Sequence, residues 1–172
     1  ASSLTPPLTI NFDYPAPATG PIPVNATIAA TNEVVGATAP NSASASTVVI
    51  LADVTADITV PAAVAPGATV NGSVQFTNSA GATATANGVV YEVTIGTPGS
   101  CPAGVDFPGI APATFAIDPG TCIVTFSGLD TQLDPGEVLN LNFTYTAPLS
   151  GTVPVSTSVS TTTPESTTAN NT

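Results

Sequence analysis

The sequence predicts an all-β protein: an immunoglobulin-like antiparallel β-sandwich of about seven strands, preceded by an N-terminal two-strand ribbon homologous to its C-terminal strands. Three observations carry this. Apolar residues alternate with period two in one segment after another, and no helical period persists beyond a few residues. Gly 14 and Pro 18, with Ser, Thr and Asn at the polar positions, favour strands and turns over helices. The stretch "LTINFDYPAPATGPIPV", Leu8 to Val24, also returns as "LNLNFTYTAPLSGTVPV", Leu139 to Val155, 131 positions further on.

Each predicted strand has its own justification. "DVTADITV" places Val54, Ala56, Ile58 and Val60 on one face and Thr55, Asp57 and Thr59 on the other. A turn follows at "APGA", where Pro66 presets one dihedral and Gly67 accepts a positive one. "TVNGSVQFTN" then alternates Val70, Gly72, Val74 and Phe76 with Asn71, Ser73, Gln75 and Thr77. "GVVYEVTIG" buries Val89, Tyr91, Val93 and Ile95 and turns Glu92 and Thr94 to water. "TCIVTFSG" groups Cys122, Val124 and Phe126. "LDPGEVLNLNFTYTAP" repeats the Pro-Gly turn at Pro135 and Gly136, then sets Leu139, Leu141, Phe143 and Tyr145 against Asn140, Asn142 and Thr144. "TVPVSTSV" closes the set with Val153, Val155 and Val159. One polar and one apolar face per segment is the mark of half-buried antiparallel strands.

The doubled stretch pairs Leu8 with Leu139, Ile10 with Leu141, Phe12 with Phe143, Tyr14 with Tyr145, Gly20 with Gly151, Val24 with Val155 and Ile28 with Val159. Inward positions match inward positions, so Phe12 and Tyr14 read as core aromatics together with Phe76, Tyr91, Phe126, Phe143 and Tyr145. Residues 1–46 then correspond to the last two strands of a sandwich, and residues 47–172 to a complete one. Two strands cannot bury a face alone. Leu8, Ile10, Phe12 and Tyr14 are therefore the candidate assembly residues. Either the chain is a window of a longer tandem array, or it is a whole subunit whose N-terminal ribbon inserts into a neighbour by strand addition and propagates without closing.

Composition excludes most other functions. The chain has no Lys, Arg or His and eleven Asp or Glu, a formal charge of −11. Imidazole bases and cationic stabilisers of developing anions are absent, so no enzyme activity is expected. Nucleic acids and anionic membrane surfaces are bound through Lys and Arg, so neither is an expected partner. No apolar run of about twenty residues predicts a membrane span. Ala1 followed by "SS" would suit a mature end after signal removal. Only 6% of residues are charged while 42% are hydrophobic, so a packed core is expected. Cys101 and Cys122, enclosing twenty residues rich in turn signals, read as a structural disulfide and an oxidising, extracellular location.

"ADITVPAAVAPGATVNGSVQFTNSAGATATANGVVYEVTI" resembles a conserved repeat domain of bacterial and archaeal surface proteins, long known as a domain of unknown function. Members read as an acidic first strand, a Pro-Gly turn, a "V-x-Y/F-x-x-x-x-x-N" strand, a small-residue loop and a strand ahead of a "P-x-G" turn. The positions carrying the likeness are Asp57, Pro66, Gly67, Val70, Phe76, Asn78 and Val89 to Val93, with "TPESTTANNT" echoing the closing segment. It covers roughly residue 50 to the end. One departure is the Lys that often follows the first strand's Asp, absent here, which removes any Lys-dependent crosslink. The resemblance implies a tandem or polymeric structural element on the outside of a prokaryotic cell, with copies of itself or neighbouring repeats as partners and no catalytic residues.

Remaining candidates are modifications and ions. Asn25, Asn71, Asn142 and Asn170 begin Asn-x-Ser/Thr sequons, and "STSVSTTTPESTT" is a candidate for O-linked sugars. No cofactor is expected. Asp53, Asp57, Asp130, Asp134 and Glu137 are the oxygen ligands available for Ca²⁺, although solvated turn and edge carboxylates account for them more simply. Gln75 and Gln132 are available for ester crosslinks to Thr. The alternative function is an adhesin or carbohydrate-binding module whose loop, Pro98 to Gly120, exposes Phe107 to a receptor.

Overall fold

The computed structural model describes residues 9–17, 20–28, 42–111 and 114–172, and among these there is no α-helix. The chain divides into two compact units, Ala1–Val49 and Ile50–Thr172.

The first unit contains one antiparallel hairpin, β1 (Pro21–Thr27) with β2 (Ser42–Val48), in which Pro21 faces Val48 and Thr27 faces Ser42. Gly20 leads into β1 with φ 85°, a conformation that glycine adopts without steric cost. Every residue of β2 is exposed, as "SASASTV" has almost nothing to bury. The strand predicted around Leu8–Tyr14 is not formed: residues 9–17 carry no ladder, and Leu8 lies outside the described residues. Phe12 and Tyr14 are exposed rather than core. An apolar stripe becomes a buried strand face only when something covers it.

The second unit is β-sandwich-like. One sheet runs β10 (Val138–Thr146), β4 (Thr69–Asn78), β3 (Val54–Thr59); the other runs β11 (Val155–Ser160), β6 (Val90–Ile95), β8 (Ile123–Phe126), β7 (Phe115–Ile117). A small pair, β5 (Ala86–Asn87) with β9 (Gln132–Leu133), adds to these, so the described residues hold nine strands here rather than about seven. All ladders are antiparallel. The predicted alternation of β4 is realised: Val70, Val74 and Phe76 are buried while Asn71, Ser73 and Gln75 are exposed. Glu92 and Thr94 are half-buried instead of fully solvated, because β6 is flanked by strands on both sides and Ser158 Oγ donates to Glu92 Oε2 at 3.2 Å. Val60 lies past the end of β3 and is exposed.

The core is filled from both sheets. Phe76 meets Tyr91 across the gap at 4.8 Å between ring centroids, and Val74, Val93, Val124, Leu141 and Phe143 belong to the same buried cluster. Gly72 has a steric reason: a Cβ there would lie 2.3 Å from Phe143 Cζ, so only glycine admits this ring at the cross-strand position. The chain end covers open edges. Ala52 N–H donates to Pro164 O, Ala56 N–H to Asn170 O, and Val159 N–H to Asn171 O, which lays residues 164–171 against both β3 and β11.

β10 and β11 do not pair with each other. β10 joins β4 in one sheet and β11 joins β6 in the facing sheet, so the repeated segment is a strap that crosses the sandwich, not a two-strand ribbon. Both are edge strands of their sheets.

Candidate functional site

The N-terminal copy of this strap reproduces the local geometry of the C-terminal one. Phe12 and Tyr14 rings stack at 6.0 Å with an interplanar angle of 22°; Phe143 and Tyr145 stack at 6.4 Å and 11°. Gly20 and Gly151 turn with φ 85° and 89°. Tyr14 Oη and Thr47 Oγ1 share a hydrogen bond of 3.0 Å within the first unit. The difference is cover: Ile10, Phe12 and Ile28 are 74%, 61% and 64% exposed, whereas Leu141, Phe143 and Val159 are 4%, 0% and 4%. Among the described residues, these exposed apolar side chains are ones whose matched positions in the second unit are buried.

Cys101 and Cys122 form a disulfide of 1.99 Å. The loop it closes does not present its aromatic to solvent. Phe107 is fully buried, with Phe126 at 4.9 Å, Phe115 at 5.2 Å and Phe143 at 5.9 Å, so the expectation of an exposed Phe107 is corrected. Asp106 secures it from the backbone, exchanging hydrogen bonds with Thr144 at 3.0 and 2.8 Å, which bridges the loop to the free edge of β10. At the loop's end Asp118 accepts from Gly120 N–H at 2.8 Å and Thr121 Oγ1 at 2.9 Å, and these bonds hold its carboxyl below the ordinary value. Cys122 takes φ 60° to leave this turn. With 21 residues of separation, chain-entropy reasoning assigns the disulfide about 3 kcal/mol. Reduction or Cys101→Ser with Cys122→Ser should lower the urea midpoint accordingly while leaving the β-type circular dichroism signal in place.

The carboxylates do not converge: among the described residues no three Asp, Glu, His or Cys side chains form a group able to hold a metal ion. Each is engaged locally or solvated. Asp53 accepts from Asn170 Nδ2 at 3.1 Å, Asp130 from Gln132 N–H at 3.0 Å, Asp134 from Thr85 Oγ1 at 2.7 Å, and Glu137 from Asp134 N–H at 2.8 Å, while Asp57 is exposed on β3. Gln75 donates to Asn140 Oδ1 at 2.9 Å and Gln132 to Asn87 Oδ1 at 2.6 Å, so both amides face other amides rather than a Thr hydroxyl.

The sequons separate into two kinds. Asn25, Asn71 and Asn142 are exposed on outward strand faces. Asn170 is half-buried, its Nδ2 committed to Asp53 and its Oδ1 enclosed without a partner. In a glycosylating host, peptide mass spectrometry should therefore find lower occupancy at Asn170 than at the other three.

Burial, with Asp130 and Glu137 nearby, pushes the Tyr91 phenol from 10.0 to about 12, and its O–H donates to Asp130 O at 2.9 Å. Burial also raises Tyr145. Folded-state values above the unfolded value mean stability that is intact below pH 10 and lost as pH climbs toward 12. Thermal melts across that window should show a falling midpoint, and Tyr91→Phe should flatten its slope.

Comparison with family models, curated proteins and solved structures finds no match for this chain.

Proposed function

We propose that this chain is an extracellular structural element of a prokaryotic cell surface, a subunit or repeat of a filament, pilus-like fibre or stalk. Its second unit is read as an immunoglobulin-like sandwich, joined head to tail to others through β-strand complementation or tandem domains. The observation that carries the reading is the duplicated closing strap, buried in one copy and exposed in the other. An exposed apolar strap of this size is the mark of an interaction site. The disulfide fits an oxidising compartment. The lack of Lys and Arg leaves nothing for trypsin-like proteases to cut, which suits an exposed fibre. The resemblance to the surface-protein repeat domain points the same way.

The alternative, an adhesin or carbohydrate-binding module, loses Phe107 as its contact residue because that ring is enclosed in the core. Electron microscopy of the native material tests the proposal. Regular fibres or stalks with an axial repeat of one domain support it; dispersed monomers that bind a glycan array overturn it.

A further inference from the structure

Resting on that structural reading, a narrower assignment follows from the exposed strap. We propose that residues 9–17 and 20–28 close a second sandwich body of the same pattern as β3–β9, one that lacks closing strands of its own. Residues 9–15 would join the sheet of its β4-type strand, and β1 would join the β6-type strand of the facing sheet, so one strap fastens both sheets.

The register follows from the matched positions. Leu141 faces Val74, Phe143 faces Gly72 and Tyr145 faces Val70. Ile10, Phe12 and Tyr14 therefore require a β-branched residue, a glycine and a β-branched residue in the partner. The glycine is the discriminating position, since a Cβ at Gly72 would collide with the Phe143 ring. In the other sheet Val155 faces Ile95, and Val24 takes the same place.

The partner is not a complete second copy. In a complete copy the slot already holds Phe143, fully buried, so exchanging one strap for the other gains no net apolar burial and loses association entropy. Charge argues likewise. Thr144 lies directly opposite Asp106, and its matched residue is Asp13, which would put two carboxylates on opposed positions of one edge. The partner fits best with a neutral residue at the position of Asp106.

The test is a joined polypeptide in which residues 50–138, carrying Asp106→Asn, precede residues 8–172, so that residue 138 runs into residue 8 as it ordinarily runs into residue 139. Two cooperative unfolding transitions are expected, with hydrogen-exchange protection at residues 10–14. Phe12→Ala should lower one transition as far as Phe143→Ala lowers the other, and should leave the unfolding of the original chain unchanged. Asn11→Ala, on the outer face, should move neither. With Asp106 restored in the added body, that body's transition should fall. An added body that stays unfolded, or that is indifferent to Phe12→Ala, overturns the assignment. So do concentration-dependent dimers of the original chain that Phe12→Ala abolishes, which would mean exchange between complete copies. Native material of dispersed monomers, without fibres or stalks, would refute the surface role and leave the joined-chain result standing.

Discussion

Phe107→Ala is expected to cost the second unit about 3–5 kcal/mol, the range for removing a buried aromatic and leaving a cavity. The ring is fully enclosed and touches Phe115, Phe126 and Phe143, which come from three different strands. It is the fully buried aromatic of the disulfide loop, which also contributes the partly buried Phe115, and it touches β8 of one sheet and β10 of the other, so its loss removes packing from both sheets at once. Urea unfolding followed by tyrosine fluorescence measures the loss directly. Phe107→Leu, which keeps most of the volume, should recover the larger part. The disulfide holds the same loop, so Phe107→Ala combined with Cys101→Ser and Cys122→Ser should not be additive: two restraints on one loop share a partner structure. An additive result would mean that the loop docks through Phe107 independently of the crosslink.

Asn78→Ala is expected to cost roughly 3–5 kcal/mol, because each buried polar group left without a partner costs about 1–3 kcal/mol. Asn78 is fully buried at the end of β4. Its Oδ1 accepts from Asp53 N–H at 3.0 Å, and its Nδ2 donates to Ala84 O at 3.0 Å and Leu133 O at 2.9 Å. One amide thus ties the approach to β3, the loop after β4 and β9. Its backbone adds bonds with Glu137 O and Gly136 N–H, so the pin also fixes the turn before β10. Asn78→Asp is the informative companion. A carboxylate at that position would face two carbonyls with no hydrogen to give, so burial and repulsion would raise its folded pKa above the unfolded value. The variant's stability should then be greatest at acid pH, where the protonated carboxyl donates to one carbonyl, and should fall as pH rises. A flat pH profile for Asn78→Asp would contradict the buried placement.

Much of the second unit was legible from local pattern. Period-two alternation identified β3, β4, β6, β8, β10 and β11, because each has one face toward the core and the side-chain period of a strand is fixed by its backbone. Cys101 and Cys122 were legible as a pair for want of any other chemistry in the chain. Phe107 was not, since "GVDFPG" has no alternation and its burial depends on a loop folding back over Phe143. Asn78 stood out only as a position in a pattern; its role as a pin depends on residues 25 and 55 positions away in the chain. The short strands β5, β7 and β9 escaped notice because two or three residues carry no period.

The repeated strap marks where the two kinds of information part. The sequence by itself determined that Leu8–Val24 and Leu139–Val155 are one design, with the same aromatic pair, the same glycine turn and the same apolar phase, because these are properties of neighbouring residues. Only the tertiary structure decided that the two strands of this design belong to opposite sheets, and that Phe143 is enclosed while Phe12 faces solvent. Burial is a property of the covering partner, and for Phe143 that partner is Gly72, 71 residues earlier in the chain and without a Cβ to block the ring.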